Sequence, residues 1–238
     1  MLRLLKQRAA PVASILVMFA LGGCASSLPS GEPLANLPPA SIPRYTEGET
    51  LIYANRRSEQ VVATRNGRTL WQDQRGYRLT RDDNFIVPIL SRDSSRGVYT
   101  HRLIQGDPNE LWPLGQGNEV YFRMLYLRPD MREYTQFWHC EDLGGRRLQQ
   151  HQRRYDTYLV RCIRSYENSS YARVRSEQVD YYYDPELQLV VRRDSIDLRN
   201  RREPRQMKLW AYLRPQDASA EQIASIRDQL KQLNEASP

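Results

Sequence analysis

The chain contains little of the chemistry on which enzymes and metalloproteins commonly depend. Three cysteines and three histidines occur among its 238 residues. His101, His139 and His151 do not form the close spacings of a zinc hydrolase. Neither a Gly-x-Ser-x-Gly nucleophile turn nor a glycine-rich phosphate loop is present. We therefore expect no catalytic residue, no metal ion and no cofactor, with a hydrolase as the weaker alternative.

Lysine is also scarce, because Lys6, Lys208 and Lys231 are the only three and the other cationic side chains are arginines. The formal net charge is +7, but 28 acidic residues are interspersed among the basic ones. This mixing argues against nucleic acid as a partner. The arginine excess has two interpretations: a GC-rich genome, or recognition of phosphate or carboxylate groups by the planar guanidinium.

The most apolar segment is too short to cross a bilayer as a helix, which needs about 20 residues. It spans Ala9–Gly23, 15 residues without a charge, and follows the basic residues Arg3, Lys6 and Arg8. A basic segment followed by a short apolar one is typical of a secretory signal. The sequence therefore predicts export.

The export segment ends in Leu21-Gly22-Gly23-Cys24, which resembles the lipobox of bacterial lipoproteins. The resemblance implies that residues 1–23 are a signal peptide and that Cys24 carries a diacylglyceryl group and often a third acyl chain such as palmitate. The alternative is an ordinary signal peptide with an incidental cysteine. Ala25 is not the aspartate associated with inner-membrane retention, so the resemblance implies the periplasmic face of the outer membrane.

Prolines mark the segment that follows the anchor. Residues 24–43 contain five of them, which predicts a semi-extended tether with a reach of about 50 Å in the polyproline conformation. Residues 44–215 are then expected to form one β-rich domain, and residues 216–238 a C-terminal helix and tail.

Two cysteines remain once Cys24 is assigned to the lipid. Cys140 and Cys162 form an even pair in an oxidising compartment, which predicts a disulfide between neighbouring strands. A metal site is the weaker alternative, because His139 and His151 lie nearby but the close ligand pairs of a zinc site are missing.

Short strand-like runs separated by turn residues fill the domain. Asn66-Gly67 is a strong hairpin signal, and Gly144-Gly145 and Asp184-Pro185 predict further turns. No helix-length amphipathic pattern intervenes, so the fold class is mainly β. We expect a single antiparallel curved sheet, a sandwich or a half-barrel.

The last segment has the pattern of a short amphipathic helix. Ser219 and Gln222 have capping-box spacing, and an apolar stripe follows on one face. The stripe either covers the sheet or contacts a partner. Its members are Ile223, Ile226, Leu230 and Leu233.

Residues 110–195 resemble a set of uncharacterised proteobacterial envelope proteins. The resemblance is carried by the Trp112-Pro113-Leu114 turn, the Tyr155-Asp156-Thr157-Tyr158 strand and the Tyr182-Tyr183-Asp184-Pro185-Glu186 turn. It implies a fold and a compartment and brings no established activity.

These observations predict a structural or accessory lipoprotein that docks onto an envelope complex. The alternative is a carrier-like module that holds a lipid or a glycan on a curved sheet. Contact with anionic envelope groups, such as lipid phosphates or peptidoglycan carboxylates, is a further hypothesis, with a solvated strand edge as its alternative. The residues concerned are Arg192, Arg193, Arg199, Arg201, Arg202 and Arg205.

Overall fold

The computed structural model describes residues 30–167, 172–200 and 203–235. The signal peptide, Cys24, Arg201 and Arg202 lie outside the described residues. One α-helix, α1, spans Ala220–Glu235, and two 3-10 turns cover Pro108–Leu111 and Pro215–Asp217. The strands are β1 Glu32–Leu34, β2 Thr50–Tyr53, β3 Ser58–Arg65, β4 Arg68–Asp73, β5 Arg78–Asp82, β6 Ser91–Ser94, β7 Gly97–Gln105, β8 Glu119–Leu127, β9 Glu133–Gln150, β10 Arg153–Glu167, β11 Arg173–Asp184, β12 Leu189–Asp197 and β13 Arg205–Leu213.

Strands β2 to β13 form a closed, twelve-stranded antiparallel barrel. Each strand pairs with the next one along the chain, and β13 then pairs with β2, so that Leu209 faces Tyr53 and Leu213 faces Thr50. The expected single curved sheet, sandwich or half-barrel is therefore wrong. Each hairpin is encoded locally, whereas closure joins strands from opposite ends of the domain and removes the unpaired edges of an open sheet.

Alternate residues of the strands point into the barrel. One inward row crosses β8 to β11 through Val120, Cys140, Cys162 and Val179, none of which is more than 2% exposed. Cys140 and Cys162 are register partners joined by a disulfide. The predicted bond is confirmed, and it lies inside the barrel core.

One end of the barrel, where β8 begins and β11 ends, is filled by two connections. The β5–β6 connection places the Phe85 ring 5.5 Å from Trp112 and 5.2 Å from Tyr183, and it buries Ile86 completely. The β7–β8 connection contains Trp112, which precedes a cis peptide bond to Pro113, and buries Leu114. Both connections pack apolar side chains onto the core at this end and so close it.

Residues 30–43 lie along the barrel. The backbone N–H of Ser30 donates to the Tyr182 hydroxyl at 2.8 Å, and the Tyr158 hydroxyl donates to the carbonyl oxygen of Pro38 at 2.7 Å. Between these contacts, β1 pairs with β9. The expected reach of about 50 Å therefore does not apply to residues 30–43, and the six Cα–Cα steps from Cys24 to Ser30 can span at most about 20 Å.

The Gly144-Gly145 turn was predicted wrongly, because β9 continues through both glycines. Gly145 pairs with Leu34 of β1, and a Cβ atom at position 145 would collide with the Leu34 carbonyl oxygen. The glycine allows β1 to approach closely, which is a second common reason for glycine in a strand.

Helix α1 covers the outside of the barrel where β13 meets β2. The Ser219 hydroxyl accepts the backbone N–H of Gln222 at 3.1 Å, as the capping pattern predicts. Ile226 and Leu230 are buried against Ile52 and Leu213, whereas Leu233, the last member of the stripe, is half exposed. Of the interpretations given above, the helix covering the sheet is the one observed. Among the described residues no helix is both long enough and apolar enough to cross a bilayer.

Candidate functional site

The end of the barrel opposite the filled one contains an inner cavity of about 240 Å³. Two clefts, of about 400 and 510 Å³, continue from it. The smaller cleft shares Gln136 and Arg164 with the cavity, and the larger shares Ile89 and His101. The three spaces thus form one open site, whose entrance we call the mouth. The mouth is lined by Tyr99, His101, Tyr126, Tyr134, Gln136 and Arg164.

Aromatic rings form a strip along one side of the mouth. Tyr126 on β8 lies at its centre, with ring centroids 6.1 Å from Tyr99, 4.5 Å from His101 and 4.9 Å from Tyr134. The strip exists because β7, β8 and β9 are neighbours in register: His101 faces Tyr126, and Tyr126 faces Tyr134. Tyr134 is 44% exposed, so the strip presents ring surface to solvent.

His101 links the strip to the connection that fills the barrel. Its Nδ1 lies 2.7 Å from the carbonyl oxygen of Ile89, to which it can only donate. Burial lowers the pKa of His101, and the charge of Arg164 lowers it further. A neutral imidazole at neutral pH follows.

A row of three register partners on β9, β10 and β11 forms the adjoining part of the wall. Arg164 on β10 stands between Trp138 on β9 and Glu177 on β11. Its guanidinium lies 3.1 Å from the Glu177 carboxylate and 5.9 Å from the Trp138 ring. The row offers a ring, a cation and an anion side by side.

Arg193 on β12 enters the inner cavity from the next strand. It faces Tyr181 and Met207 in register, and its guanidinium lies 5.7 Å from the Tyr181 ring. The Nε atom of Arg193 is buried and has no hydrogen-bond partner. Burial raises the pKa of the Tyr181 hydroxyl, and the Arg193 charge opposes that rise.

The depth of the cavity ends at a buried ion cluster. Glu59, which is 1% exposed, pairs with Arg57 and with Arg81, the latter at 2.7 Å. Burial works to raise the pKa of Glu59, but the two guanidinium groups outweigh it and hold the pKa below the ordinary value. Burial is also the main reason that the pKa of neighbouring Tyr53 is raised. The cluster is ionised, and its one carboxylate is shared by two guanidinium groups on one side of the cavity.

The arginines predicted to meet an anionic surface are separated in the structure. Arg192 pairs with Asp194 at 2.7 Å and donates to the Ser30 hydroxyl at 2.9 Å, while Arg193 faces the inner cavity. Arg199 lies 3.5 Å from Asp197 beside the smaller cleft. Arg205 is exposed at the start of β13. Contact with anionic envelope groups stays a prediction.

A second cluster lies on the outside of the barrel. Glu119 on β8 and Glu141 on β9 are register partners, and His139 Nε2 is 3.1 Å from one carboxylate and 3.3 Å from the other. The Tyr121 ring stacks on His139 with a centroid distance of 4.2 Å. All three donor atoms lie within 4.8 Å of one another, and carboxylate with imidazole is a donor set that divalent transition metals accept. Sequence spacing did not reveal this cluster, because strand register creates it.

Sequence reasoning also missed the mouth. The alternation of Tyr134, Gln136 and Trp138 along one strand was a usable signal, since residues two apart share a face. The same alternation did not say whether that face was inside or outside.

Comparison with known proteins assigns no family. No protein-family model matches the chain, and no curated protein matches it. Among solved structures, the chain is similar to the hypothetical lipoprotein YmcC from Escherichia coli K12, with 12% identity and a TM-score of 0.44. That similarity covers 70% of this chain and 86% of YmcC.

Proposed function

We propose that the chain is a lipid-anchored accessory protein on the periplasmic face of the outer membrane, and that the mouth of its barrel binds a glycan. The lipobox-like segment supports the address. The mouth carries the binding proposal: tyrosine rings and paired charged groups line one open site that continues into a cavity. Flat apolar surfaces beside a few fixed polar groups are the usual make-up of a ligand site.

A sugar suits this lining better than an acyl chain does. The inner cavity, at about 240 Å³, is smaller than the roughly 300–1,000 Å³ of ordinary ligand pockets, so it holds one part of a ligand. Its lining includes Arg81, Asp82 and Arg164. Hydrocarbon would take water from these groups without pairing them, which is costly. Sugar hydroxyls can hydrogen-bond to such groups while the C–H faces of the ring pack on tyrosine.

Titration of the full-length protein in detergent tests this proposal. Trp138 lines the cavity, so tryptophan fluorescence and calorimetry should both report saturable binding of oligosaccharides from a panel of envelope glycans. Replacing Tyr126 and Tyr134 with Ala should weaken binding at least tenfold, because the strip then loses its central rings. Tyr121→Ala is the matched control, since this tyrosine is 62% exposed on the outer face. Saturable binding that survives in the double variant would refute the site.

Docking onto another envelope protein is the second candidate function. Val98 at the start of β7 and Met131 in the β8–β9 turn lie at the same end of the barrel and are 50 and 74% exposed. Apolar side chains of this size in water favour a protein contact when they are contiguous. A photo-crosslinking residue at position 131 should then capture one envelope protein in cells, whereas the same residue at position 121 should not.

A further inference from the structure

We infer that the mouth prefers glycans carrying a carboxylate or a phosphate, and that Arg193 determines this preference; the inference rests on the proposed function. Both groups are planar or clustered oxygen anions that a guanidinium binds through paired hydrogen bonds. Three arginines line the inner cavity: Arg81, Arg164 and Arg193.

Two of these arginines already have a carboxylate partner. Arg81 lies 2.7 Å from Glu59, and Arg164 lies 3.1 Å from Glu177. A ligand anion at either guanidinium would compete with a carboxylate that the fold holds in place.

Arg193 differs from both. Among the residues that the structure describes, no carboxylate lies within 4.0 Å of its guanidinium. Its Nε is shielded from water and makes no hydrogen bond. Its register partners are the Tyr181 ring and the Met207 thioether, neither of which carries a charge at neutral pH. The remaining acid of the lining, Asp82, accepts the backbone N–H of Asn84 at 2.9 Å.

The Arg193 guanidinium lines the cavity and has no carboxylate partner among the described residues, so a charged acceptor offsets its charge better than a neutral hydroxyl does. The position of Arg193 beside the Tyr181 ring would place a sugar ring and its acidic substituent within reach of both side chains. The cavity therefore recognises the acidic group, while the aromatic strip of the mouth holds the rest of the glycan.

The test uses the full-length protein in detergent with two matched probes, trigalacturonate and its fully methyl-esterified form. They differ in charge and little in size. Inorganic phosphate is the competitor that separates phosphate recognition from carboxylate recognition. The variants are Arg193→Gln, Arg193→Lys, which keeps a cation if the first variant folds poorly, and Arg205→Gln, which removes one exposed charge from β13.

We expect trigalacturonate to bind at least tenfold more tightly than its ester. Arg193→Gln should abolish that difference by weakening trigalacturonate binding at least tenfold, Arg193→Lys should retain part of it, and Arg205→Gln should retain all of it. If phosphate at millimolar concentration displaces trigalacturonate, the site accepts both phosphate and carboxylate groups. If it does not, the site recognises carboxylate alone. Equal affinity for the two probes, or a difference that survives in Arg193→Gln, overturns the inference. If neutral glycans bind in a manner that depends on Tyr126 but acid is not preferred, this inference fails and the proposed function stands. If no glycan binds, both fail.

Discussion

The hydroxyl of Tyr158 donates a hydrogen bond to the carbonyl oxygen of Pro38 at 2.7 Å, across 120 residues of chain. Tyr158 is 1% exposed and Pro38 lies at the surface, so this bond is partly buried. Tyr183 makes a similar bond to the Ser41 carbonyl oxygen at 3.0 Å. Buried tyrosines of the barrel therefore hold the segment that leads to the predicted lipid anchor.

Replacing Tyr158 with Phe should lower the free energy of unfolding by about 1 kcal/mol, because the variant leaves the Pro38 carbonyl without its donor. Urea denaturation monitored by circular dichroism measures the difference. Tyr121→Phe is the matched control. It removes the same atom from an exposed tyrosine whose hydroxyl lies 3.4 Å from Glu119, so it should change stability by less than about 0.5 kcal/mol. Equal effects in the two variants would contradict the role given to Tyr158.

The contacts between residues 30–43 and the barrel also predict how the barrel is oriented on the membrane. With Cys24 lipidated, Ser30 lies within about 20 Å of the anchor. Ser30 contacts Tyr182, near the filled end of the barrel, whereas Met131 lies in the turn between β8 and β9 at the open end. The mouth should therefore face away from the anchoring membrane.

Energy transfer to headgroup-labelled lipids tests this orientation in reconstituted vesicles. A dye on Glu32→Cys should transfer strongly and a dye on Met131→Cys weakly. The Cys24→Ser variant should no longer take up an acyl label or fractionate with the membrane. A dye at either position should then transfer no energy to the labelled lipids. A variant without Cys24 that remains as membrane-bound as the wild type would show that the lipid is not the anchor.

Local signals in the sequence predicted the parts of the fold that depend on neighbouring residues. Asn66-Gly67 forms the turn between β3 and β4, and the predicted turn at Asp184-Pro185 separates β11 from β12. Ser219 caps α1. In each case the residues that determine the structure are within a few positions of one another, so propensity and spacing were sufficient.

The features of the fold that the sequence did not predict depend on distant residues or on irregular strands. Closure needs β13 to find β2, and no local pattern encodes that pairing. The direction of Arg193 was equally hidden, because the pairing of β11 with β12 shifts register between Tyr182 and Tyr183. A bulge exchanges the two faces of a strand, so simple alternation could not place Arg193 inside.

The disulfide predicts a measurable cost of reduction. Cys140 and Cys162 are 22 positions apart and both fully buried. Closing a loop of this length lowers the entropy of the unfolded chain, which is worth about 3 kcal/mol in the chain-entropy model. Urea unfolding with reductant present at equilibrium should show a loss of that size against the oxidised protein. Intact mass of the oxidised chain should be lower by one pair of hydrogen atoms. Two titratable thiols in protein purified from the periplasm would contradict the bond.

His101 gives the chain a predictable response to acid. Its pKa in the folded protein is lowered, chiefly by burial, with Arg164 adding to the effect. The unfolded chain, with an ordinary histidine pKa of about 6.5, therefore takes up a proton at a higher pH than the folded protein does. The stability that neutral His101 contributes is complete above that value and is lost as pH falls through it toward the folded pKa.

The measurement is the free energy of unfolding of wild type and His101→Asn at pH 8, 6.5 and 5.5. Asn can keep the donor to the Ile89 carbonyl oxygen but does not titrate. Wild type should lose more stability than the variant between pH 8 and 5.5. His151, whose pKa burial also lowers, is present in both proteins, so its contribution cancels in the comparison. Parallel pH profiles for the two proteins would show that His101 is not buried as a neutral imidazole at the mouth.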